Sequence, residues 1–381
     1  MLKTLSNFTL AVSTLVGTII GVGMFGLPYT AAISGIGPVL FYLFILGILV
    51  ILLHLMYGEV VLRTSTKHRL AGYAEVYFGS SGKTIASIIF FINLYLALLA
   101  YLVVGGEFLR IIFSGFLNFS SQAGSIALAI IGFTVVFKGM RLAGWTDFFL
   151  VGAMILLIGG FVFYAFDMAR PENLINFSTV DSLFFPYGIV LFALAGGSAI
   201  PEIRSFFKSN AKNYGRAIVW GTVIPILVYA VFTVAVVSIS GVSTSREAIA
   251  GLSDFLGKGF VKYGALVGFL AVITSFFTIG LNLKNSFQLD FKLPVLASFV
   301  LTVGVPMYLF FSGFSDFIKL ISLAGGVMGG LEALLIILLW TRARKKGNQS
   351  PEYSLSLKTG LVFLLALMFA LGVAYEIIYT L

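Results

Sequence analysis

The sequence predicts an all-α integral membrane protein with eleven transmembrane helices. Its low charge, its long apolar runs and the placement of its basic residues are the observations that predict this class. Of 381 residues, 59% are hydrophobic and only 10% are charged, and the mean hydropathy is +1.07. Soluble domains carry about 25% charged residues, so this chain lacks the charge to cover a soluble surface. The composition therefore argues against a cytosolic enzyme, a disordered chain and a nucleic-acid-binding module.

The apolar runs, together with the residues that interrupt them, place the eleven spans. We expect them at 8–33, 37–61, 84–112, 123–137, 146–167, 183–202, 215–240, 260–283, 293–312, 318–340 and 359–380. Eleven helices of about 20 residues leave only short loops, so we expect one transmembrane domain over residues 1–381. The first run is too long for a cleavable signal peptide and should stay in the membrane.

The basic residues predict the orientation. Eighteen of the 24 Lys and Arg residues lie in segments on the side of the N-terminus, and six lie on the other side. Because cytoplasmic loops are enriched in Lys and Arg, we expect a cytoplasmic N-terminus and an extracytoplasmic C-terminus in the plasma or inner membrane. The net charge of +9 then reflects topology and contact with the lipid bilayer, with no nucleic acid as partner.

The loop between the second and third spans is long enough for a short helix. Within residues 63–83, Leu70, Tyr73, Val76 and Tyr77 fall on one helical face. This pattern predicts an amphipathic segment on the membrane surface.

The first span is interrupted by the stretch G-T-I-I-G-V-G-M-F-G-L-P, from Gly17 to Pro28. It holds four glycines and a proline in twelve residues, and each Gly costs a helix about 1 kcal/mol and Pro about 3 relative to Ala. Irregular backbone at membrane depth is tolerated only where protein, water or a ligand satisfies it. A break here would point the partly positive N-terminus of the outer half-helix into the membrane centre.

The sixth span carries a matching interruption, F-A-L-A-G-G-S-A-I-P-E, from Phe192 to Glu202. Gly196 precedes Pro201 by five residues, as Gly23 precedes Pro28. Each interruption lies in the first span of a half of five spans, about 8–167 and 183–340. The helix at 359–380 belongs to neither half. Paired interruptions of this kind predict a midplane binding site. The alternative is that the glycines serve helix packing, because 17/21 and 325/329 form GxxxG pairs.

These motifs resemble those of a known group. The first stretch is similar to the first-span signature of the amino acid–polyamine–organocation superfamily. The second, with T-S-F-F-T-I-G-L in span eight, is closest to the hydroxy/aromatic amino acid permease and amino acid/auxin permease families. The resemblance covers essentially the whole chain. It implies a leucine-transporter-like fold, a 5+5 inverted repeat with discontinuous helices 1 and 6.

The resemblance also implies a function. We expect a secondary active transporter that imports a neutral or aromatic amino acid by alternating access, coupled to Na⁺ or H⁺. The alternative is a non-transporting membrane amino acid (nutrient) receptor of the same fold. No catalytic motif stands on a plausible scaffold, so we do not expect an enzyme.

The candidate substrate site is built mostly from backbone. Unpaired N–H groups at Val22, Gly23 and Met24 would hold the substrate carboxylate, since glycine lets a ligand approach the backbone closely. Freed carbonyls near the second interruption would suit the ammonium group, and Phe192 is either a gate over the substrate or a packing residue. The full candidate set is Gly21, Val22, Gly23, Met24, Asn93, Phe192, Ala193, Gly196 and Ser198.

Two candidate coupling sites remain open. For Na⁺, the set is Gly17, Ile20, Ala271, Thr274 and Ser275, although Ser and Thr in membrane helices more often bond to the helix itself. For H⁺, the candidates are Glu202 and Glu332, since carboxylates inside a membrane are functional by default. The alternative for each of these two glutamates is that it makes a structural hydrogen bond. With no Cys and two His residues, we expect no cofactor and no metal beyond a Na⁺.

Overall fold

The structure is a bundle of α-helices. The computed structural model describes residues 6–115, 120–138, 144–175, 182–207, 212–289 and 291–380, and this part of the chain contains no β-strand. The helices are α1 Asn7–Ile19, α2 Gly23–Ser34, α3 Ile36–Leu62, α4 Leu70–Phe113, α5 Ser121–Lys138, α6 Gly144–Ala165, α7 Pro186–Ala193, α8 Ile200–Ile203, α9 Lys212–Ser240, α10 Ser253–Leu289, α11 Val295–Phe311, α12 Phe317–Ser322, α13 Gly330–Lys346 and α14 Thr359–Thr380.

The helices have the length and composition of membrane spans. Within the described ranges, nine helical segments are long and apolar enough to cross a bilayer, and the pair α1–α2 makes a tenth if counted as one bent span. The seventeen-residue α11 is shorter. The prediction of an all-helical, largely apolar architecture is confirmed. Each of the eleven predicted segments overlaps at least one described helix, and the count of eleven crossings stays a prediction.

The helices pack into a single core around the two interrupted segments. α1 packs along α9 and α6, α3 along α9, and α4 along α5 and α10. α1 begins at the face of the molecule where α3 and α13 end, which we call the N-terminal face. The link after α13 lies on this face, where Asn348 hydrogen-bonds to Ser65 and Glu352 pairs with Arg204 at 3.1 Å.

The segment predicted to lie on the membrane surface is helical but is covered by protein. It forms the first part of α4, which bends at Gly79, a residue with φ of 74°. Leu70, Tyr73 and Tyr77 are buried, and only Val76 of the predicted face is exposed. The apolar face therefore completes the protein core. The spacing of apolar residues along one helix is the same whether the face contacts protein or lipid, so the sequence alone could not distinguish the two.

A π-helical stretch, Leu323–Gly329, joins α12 to α13. It passes so close to α7 that a β-carbon at Gly325 would lie 2.8 Å from Phe192 Cβ and would also strike the Gly188 carbonyl. Gly17 is similarly tight, because its β-carbon would lie 2.8 Å from Val151 on α6. Gly17 and Gly325 thus serve helix packing, as the packing alternative predicts for these two positions.

A buried carboxylate fastens the N-terminal face. Glu59, near the end of α3, is fully buried. It accepts hydrogen bonds from Trp340 Nε1 at 2.7 Å, Arg63 Nε at 2.8 Å, Ser354 Oγ at 2.9 Å and the Leu355 amide at 2.9 Å. The Glu59 carboxylate therefore ties α3 to α13 through Trp340 and to the link that follows α13 through Ser354 and Leu355.

Candidate functional site

The first interruption is a true break in the helix. α1 ends at Ile19, α2 begins at Gly23, and the two axes are bent by 53°. Met24 N–H reaches the Gly21 carbonyl at 3.3 Å and Phe25 N–H reaches that of Val22 at 3.1 Å. The Gly23 N–H, first in α2, makes no backbone hydrogen bond to the described residues. The N-terminus of α2 therefore keeps a free donor.

The second interruption is broken in the same way. α7 ends at Ala193, and a short 3₁₀ turn precedes α8. Across the gap, Ala195 N–H donates to the Phe192 carbonyl and Ala199 N–H to the Gly196 carbonyl, both at 3.1 Å. Because a carbonyl has two lone pairs, both oxygens can still accept a hydrogen bond.

The two breaks touch each other. A β-carbon at Gly23 would lie 2.7 Å from Ala193 Cα and 3.1 Å from Phe192 Cδ1. A β-carbon at Gly196 would lie 2.5 Å from Ile19 Cγ1. Glycine at both positions thus allows the free donors of one half-helix to meet the free acceptors of the other.

Tyr229 on α9 hydrogen-bonds to both breaks. It was not identified as a site residue from the sequence. Its fully buried hydroxyl lies 2.6 Å from the Ile19 carbonyl and 3.0 Å from that of Ala193, so its single proton is shared between the last residues of α1 and α7. The Gly21 N–H faces the same oxygen. The signal was a lone phenol in the middle of an apolar span.

A cavity of about 1000 Å³ extends from the breaks to the N-terminal face, where Lys67, His68 and Arg69 line its mouth. Thirteen of the candidate residues line it. They are Gly17, Ile20, Gly21, Gly23, Asn93, Phe192, Gly196, Ser198, Glu202, Ala271, Thr274, Ser275 and Glu332. Val22, Met24 and Ala193 are buried behind this surface. Their proposed backbone contacts stay predictions, and the Met24 N–H is already bonded to Gly21.

The opposite side of the breaks is closed. Phe25 packs edge-on against Phe108 and Phe232, with ring centroids 4.9 and 5.8 Å apart. Above them lies a cover of short 3₁₀ turns in which Ile249 and Leu252 are buried. Among the residues that the structure describes, the site is therefore reached from the N-terminal face.

The wall formed by α4 and α10 carries three hydroxyls. Thr274 Oγ1 bonds back to the Leu270 and Ala271 carbonyls at 3.0 Å, as expected of a threonine that bonds to its own helix. Ser275 Oγ is buried and hydrogen-bonds to no described residue. A β-carbon at Gly21 would lie 3.3 Å from it and 2.6 Å from the hydroxyl of Tyr101, which lines the cavity and was missed in the sequence.

The two candidate carboxylates occupy different positions. Glu332 on α13 accepts a long hydrogen bond of 3.4 Å from Asn93 on α4, and its Oε1 would lie 3.0 Å from a β-carbon at Gly197. It therefore faces the second break. Glu202 lies on α8 and is exposed.

Long apolar helices around two touching breaks, with a cavity open to one face, define a membrane permease. The chain belongs to the tryptophan/tyrosine permease family, whose model matches residues 4–379. The predicted membership in the aromatic amino acid permeases is thus confirmed, as is the prediction that the chain is an integral membrane permease and not an enzyme.

Similar proteins agree with this membership. Tyrosine-specific transport system 2 of Haemophilus influenzae is 28% identical over 88% of this chain and 87% of its own length. Tyrosine-specific transport system 1 of the same organism is 25% identical over 71% of this chain and 70% of its own. Glutamine transporter 2 of Aliivibrio fischeri is 24% identical over 93% and 94%. The crystal structure of MhsT in complex with L-phenylalanine has a TM-score of 0.71 and 14% identity, over 100% of this chain and 99% of that one, so the fold is shared.

Proposed function

We propose that this protein is a secondary active transporter that imports an aromatic or other neutral amino acid by alternating access. One observation carries the proposal: the free Gly23 donor of one helix break and the carbonyl acceptors of the other meet at a cavity that, in the described part of the chain, opens to the N-terminal face. Alternating access needs a central site that each face reaches in turn. The two tyrosine systems among the relatives favour an aromatic substrate, and the glutamine transporter keeps other neutral amino acids open.

The proposal includes the topology. Eleven spans place the N-terminal face in the cytoplasm and the C-terminus outside, with the inverted repeats at about 8–167 and 183–340 and the helix at 359–380 outside them. The matched spacing of the two interruptions and the excess of basic residues on one side support this arrangement.

The first break suits the substrate carboxylate. The Gly23 N–H is a free donor at the partly positive end of α2, which favours an anion. The Tyr101 hydroxyl faces both the Ser275 hydroxyl and the Val22 N–H, and its proton would turn from Ser275 to the carboxylate when the substrate binds. From the sequence, we expected the Val22 and Met24 N–H groups to donate to the carboxylate. We propose that the Tyr101 hydroxyl takes over part of that role.

The second break suits the ammonium group. The Gly196 carbonyl accepts one hydrogen bond and keeps a second lone pair. The Phe192 carbonyl accepts from the Ala195 N–H and shares the Leu194 N–H with Val190, whereas the Ala193 carbonyl is engaged by Tyr229. The half-buried ring of Phe192 stands between the two breaks and would close over the substrate. Apolar side chains and the Asn93–Glu332 pair then surround the substrate side chain, with Phe90, Leu94, Leu191, Ala333 and Ile336 among the cavity-lining residues.

The coupling ion is Na⁺ or H⁺. A Na⁺ would take the Thr274 and Ser275 hydroxyls and carbonyls of Gly17, Ile20 and Ala271. The unbonded Ser275 Oγ supports this set, and the back-bonded Thr274 would have to turn toward the ion. A proton would use Glu332, beside the second break, or Glu202.

Counterflow in proteoliposomes tests the proposal. Vesicles loaded with one unlabelled amino acid of the twenty should accumulate its labelled form, with L-tyrosine among the strongest substrates, and repeats with and without Na⁺ and at two pH values identify the coupling ion. Tyr101→Phe should raise KM for tyrosine about 10- to 150-fold, since a hydrogen bond to a charged group contributes roughly 1.5–3 kcal/mol. Binding of tyrosine without any counterflow would instead favour the receptor alternative.

A further inference from the structure

His54 is an ionisable residue that the site described above does not yet use. It lies in the middle of α3, and the sequence has no charged residue between Lys3 and Glu59. Its side chain is 4% exposed, and it lines the cavity. Ionisable groups within a membrane are costly and mark functional sites.

The hydrogen bonds of the ring fix its tautomer. His54 Nδ1 lies 3.0 Å from Thr222 Oγ1 on α9. The Thr222 hydroxyl donates its one proton to the Ile218 carbonyl at 2.9 Å, so it accepts from an Nδ1–H. The other nitrogen, Nε2, then carries a lone pair, and the hydrogen bond that the described residues make to the ring is at Nδ1, with the ring in the cavity wall.

The imidazole ring lies at the second break. His54 Cε1, the carbon between Nδ1 and Nε2, would lie 3.2 Å from a β-carbon at Gly196, and the Ile19 side chain closes the other side of that position. The half-helices α1 and α7 both end here. Their partly negative C-termini make this a place where a cation is favoured.

We propose that His54 is a substrate-binding residue, a neutral imidazole whose Nε2 accepts a hydrogen bond from the ammonium group of the amino acid. This deepens the proposed function and rests on it. The Phe192 and Gly196 carbonyls supply two acceptors for the three N–H bonds of the ammonium, and His54 supplies the third. Thr222 is a positioning residue, because it holds the proton on Nδ1 and leaves Nε2 free to accept.

The same geometry predicts the pH dependence. Protonation of Nε2 removes the acceptor and adds a positive charge beside the ammonium, so acid weakens binding. The other titratable and charged groups around the ring and along the cavity are Tyr57 on α3, Tyr101 on α4, Glu202 on α8, Tyr229 on α9, Glu332 on α13 and, at the mouth, Lys67, His68 and Arg69. Only the variants at His54 separate its titration from theirs.

Binding of labelled L-tyrosine to the purified full-length protein tests the proposal, measured between pH 3.5 and 8. His54→Leu should weaken binding about 10- to 150-fold, as the loss of a hydrogen bond to a charged group predicts. His54→Gln, which keeps an acceptor that does not titrate in this range, should bind more tightly than His54→Leu and should lose the weakening in acid. His68→Gln, at the chain's other histidine, is the matched control and should keep the wild-type pH profile.

A des-amino probe distinguishes recognition from a structural effect. Competition by 3-(4-hydroxyphenyl)propionate, which lacks the ammonium group, should be equally strong in wild type and His54→Leu. If His54→Leu does not fold, Thr222→Val, which frees the tautomer, should still weaken tyrosine binding several-fold. Wild-type affinity that stays constant down to pH 3.5, or a pH profile retained in His54→Gln, would overturn the assignment. Failure of the wild type to bind any amino acid would overturn the transport proposal as well.

Discussion

The sharpest test of the touching breaks is a single methyl group at Gly23. In Gly23→Ala the new β-carbon would lie 2.7 Å from Ala193 Cα and 3.0 Å from Ala193 Cβ. The first of these atoms is backbone, so no rotamer change relieves the contact. α2 and α7 must therefore separate, and the Gly23 N–H moves away from the carbonyls that face it.

The expected cost follows from this clash. Overpacking by one methyl group in a rigid setting costs about 1–3 kcal/mol. If the helices can separate in the empty protein but must come together to bind tyrosine, the whole cost falls on the bound state. The dissociation constant for tyrosine then rises about 5- to 150-fold. Gly23→Leu places three more carbons than Gly23→Ala at the same contact and should abolish binding.

The control is Gly304→Ala on α11, where a β-carbon would meet no atom within 4 Å. It introduces the same methyl group into a helix and should leave binding unchanged. Tyrosine affinity is measured by scintillation proximity on detergent-purified protein, with gel filtration to show that each variant is folded. Equal affinities in Gly23→Ala and Gly304→Ala would refute the claim that the substrate is held where the two breaks meet.

Two further changes test the coupling site and the N-terminal face. Thr274→Val with Ser275→Ala should remove Na⁺ stimulation of tyrosine uptake, whereas Thr134→Val, a back-bonded threonine on α5, should not; an unchanged Na⁺ response moves coupling to protons or elsewhere. Glu59→Gln should destabilise the fold by about 3–5 kcal/mol, since it leaves buried donors and a cation unpaired. The exposed Glu75→Gln should cost at most about 1 kcal/mol, and equal thermal unfolding midpoints for these two variants in detergent would contradict the role of Glu59.

The breaks were predictable from the sequence because their causes are local. Gly and Pro weaken a helix wherever they occur, and the same spacing from Gly23 to Pro28 and from Gly196 to Pro201 occurs in both halves. Glycines that allow close approach are also visible as such. What each glycine approaches, whether Val151 for Gly17 or Ala193 for Gly23, depends on a helix far away in the chain.

The side chains that complete the site could not be assigned for the same reason. Tyr229 joins carbonyls that lie 210 and 36 residues away along the chain, and His54 is oriented by a threonine 168 residues away. An isolated phenol or imidazole in an apolar span signals a polar partner but does not identify it. Tyr101 gives no stronger signal than the other 15 tyrosines.

The absence of cysteine makes the direction of access directly measurable. Asn285 lines the mouth of the cavity, and Val242 lies exposed on the 3₁₀ turn at the opposite face. Single variants Asn285→Cys and Val242→Cys therefore carry one thiol each, with no background labelling. In intact cells a membrane-impermeant maleimide should label Val242→Cys at once and Asn285→Cys only after permeabilisation, because the N-terminal face is proposed to be cytoplasmic. The reverse pattern would invert the orientation, and the cavity would then open to the outside.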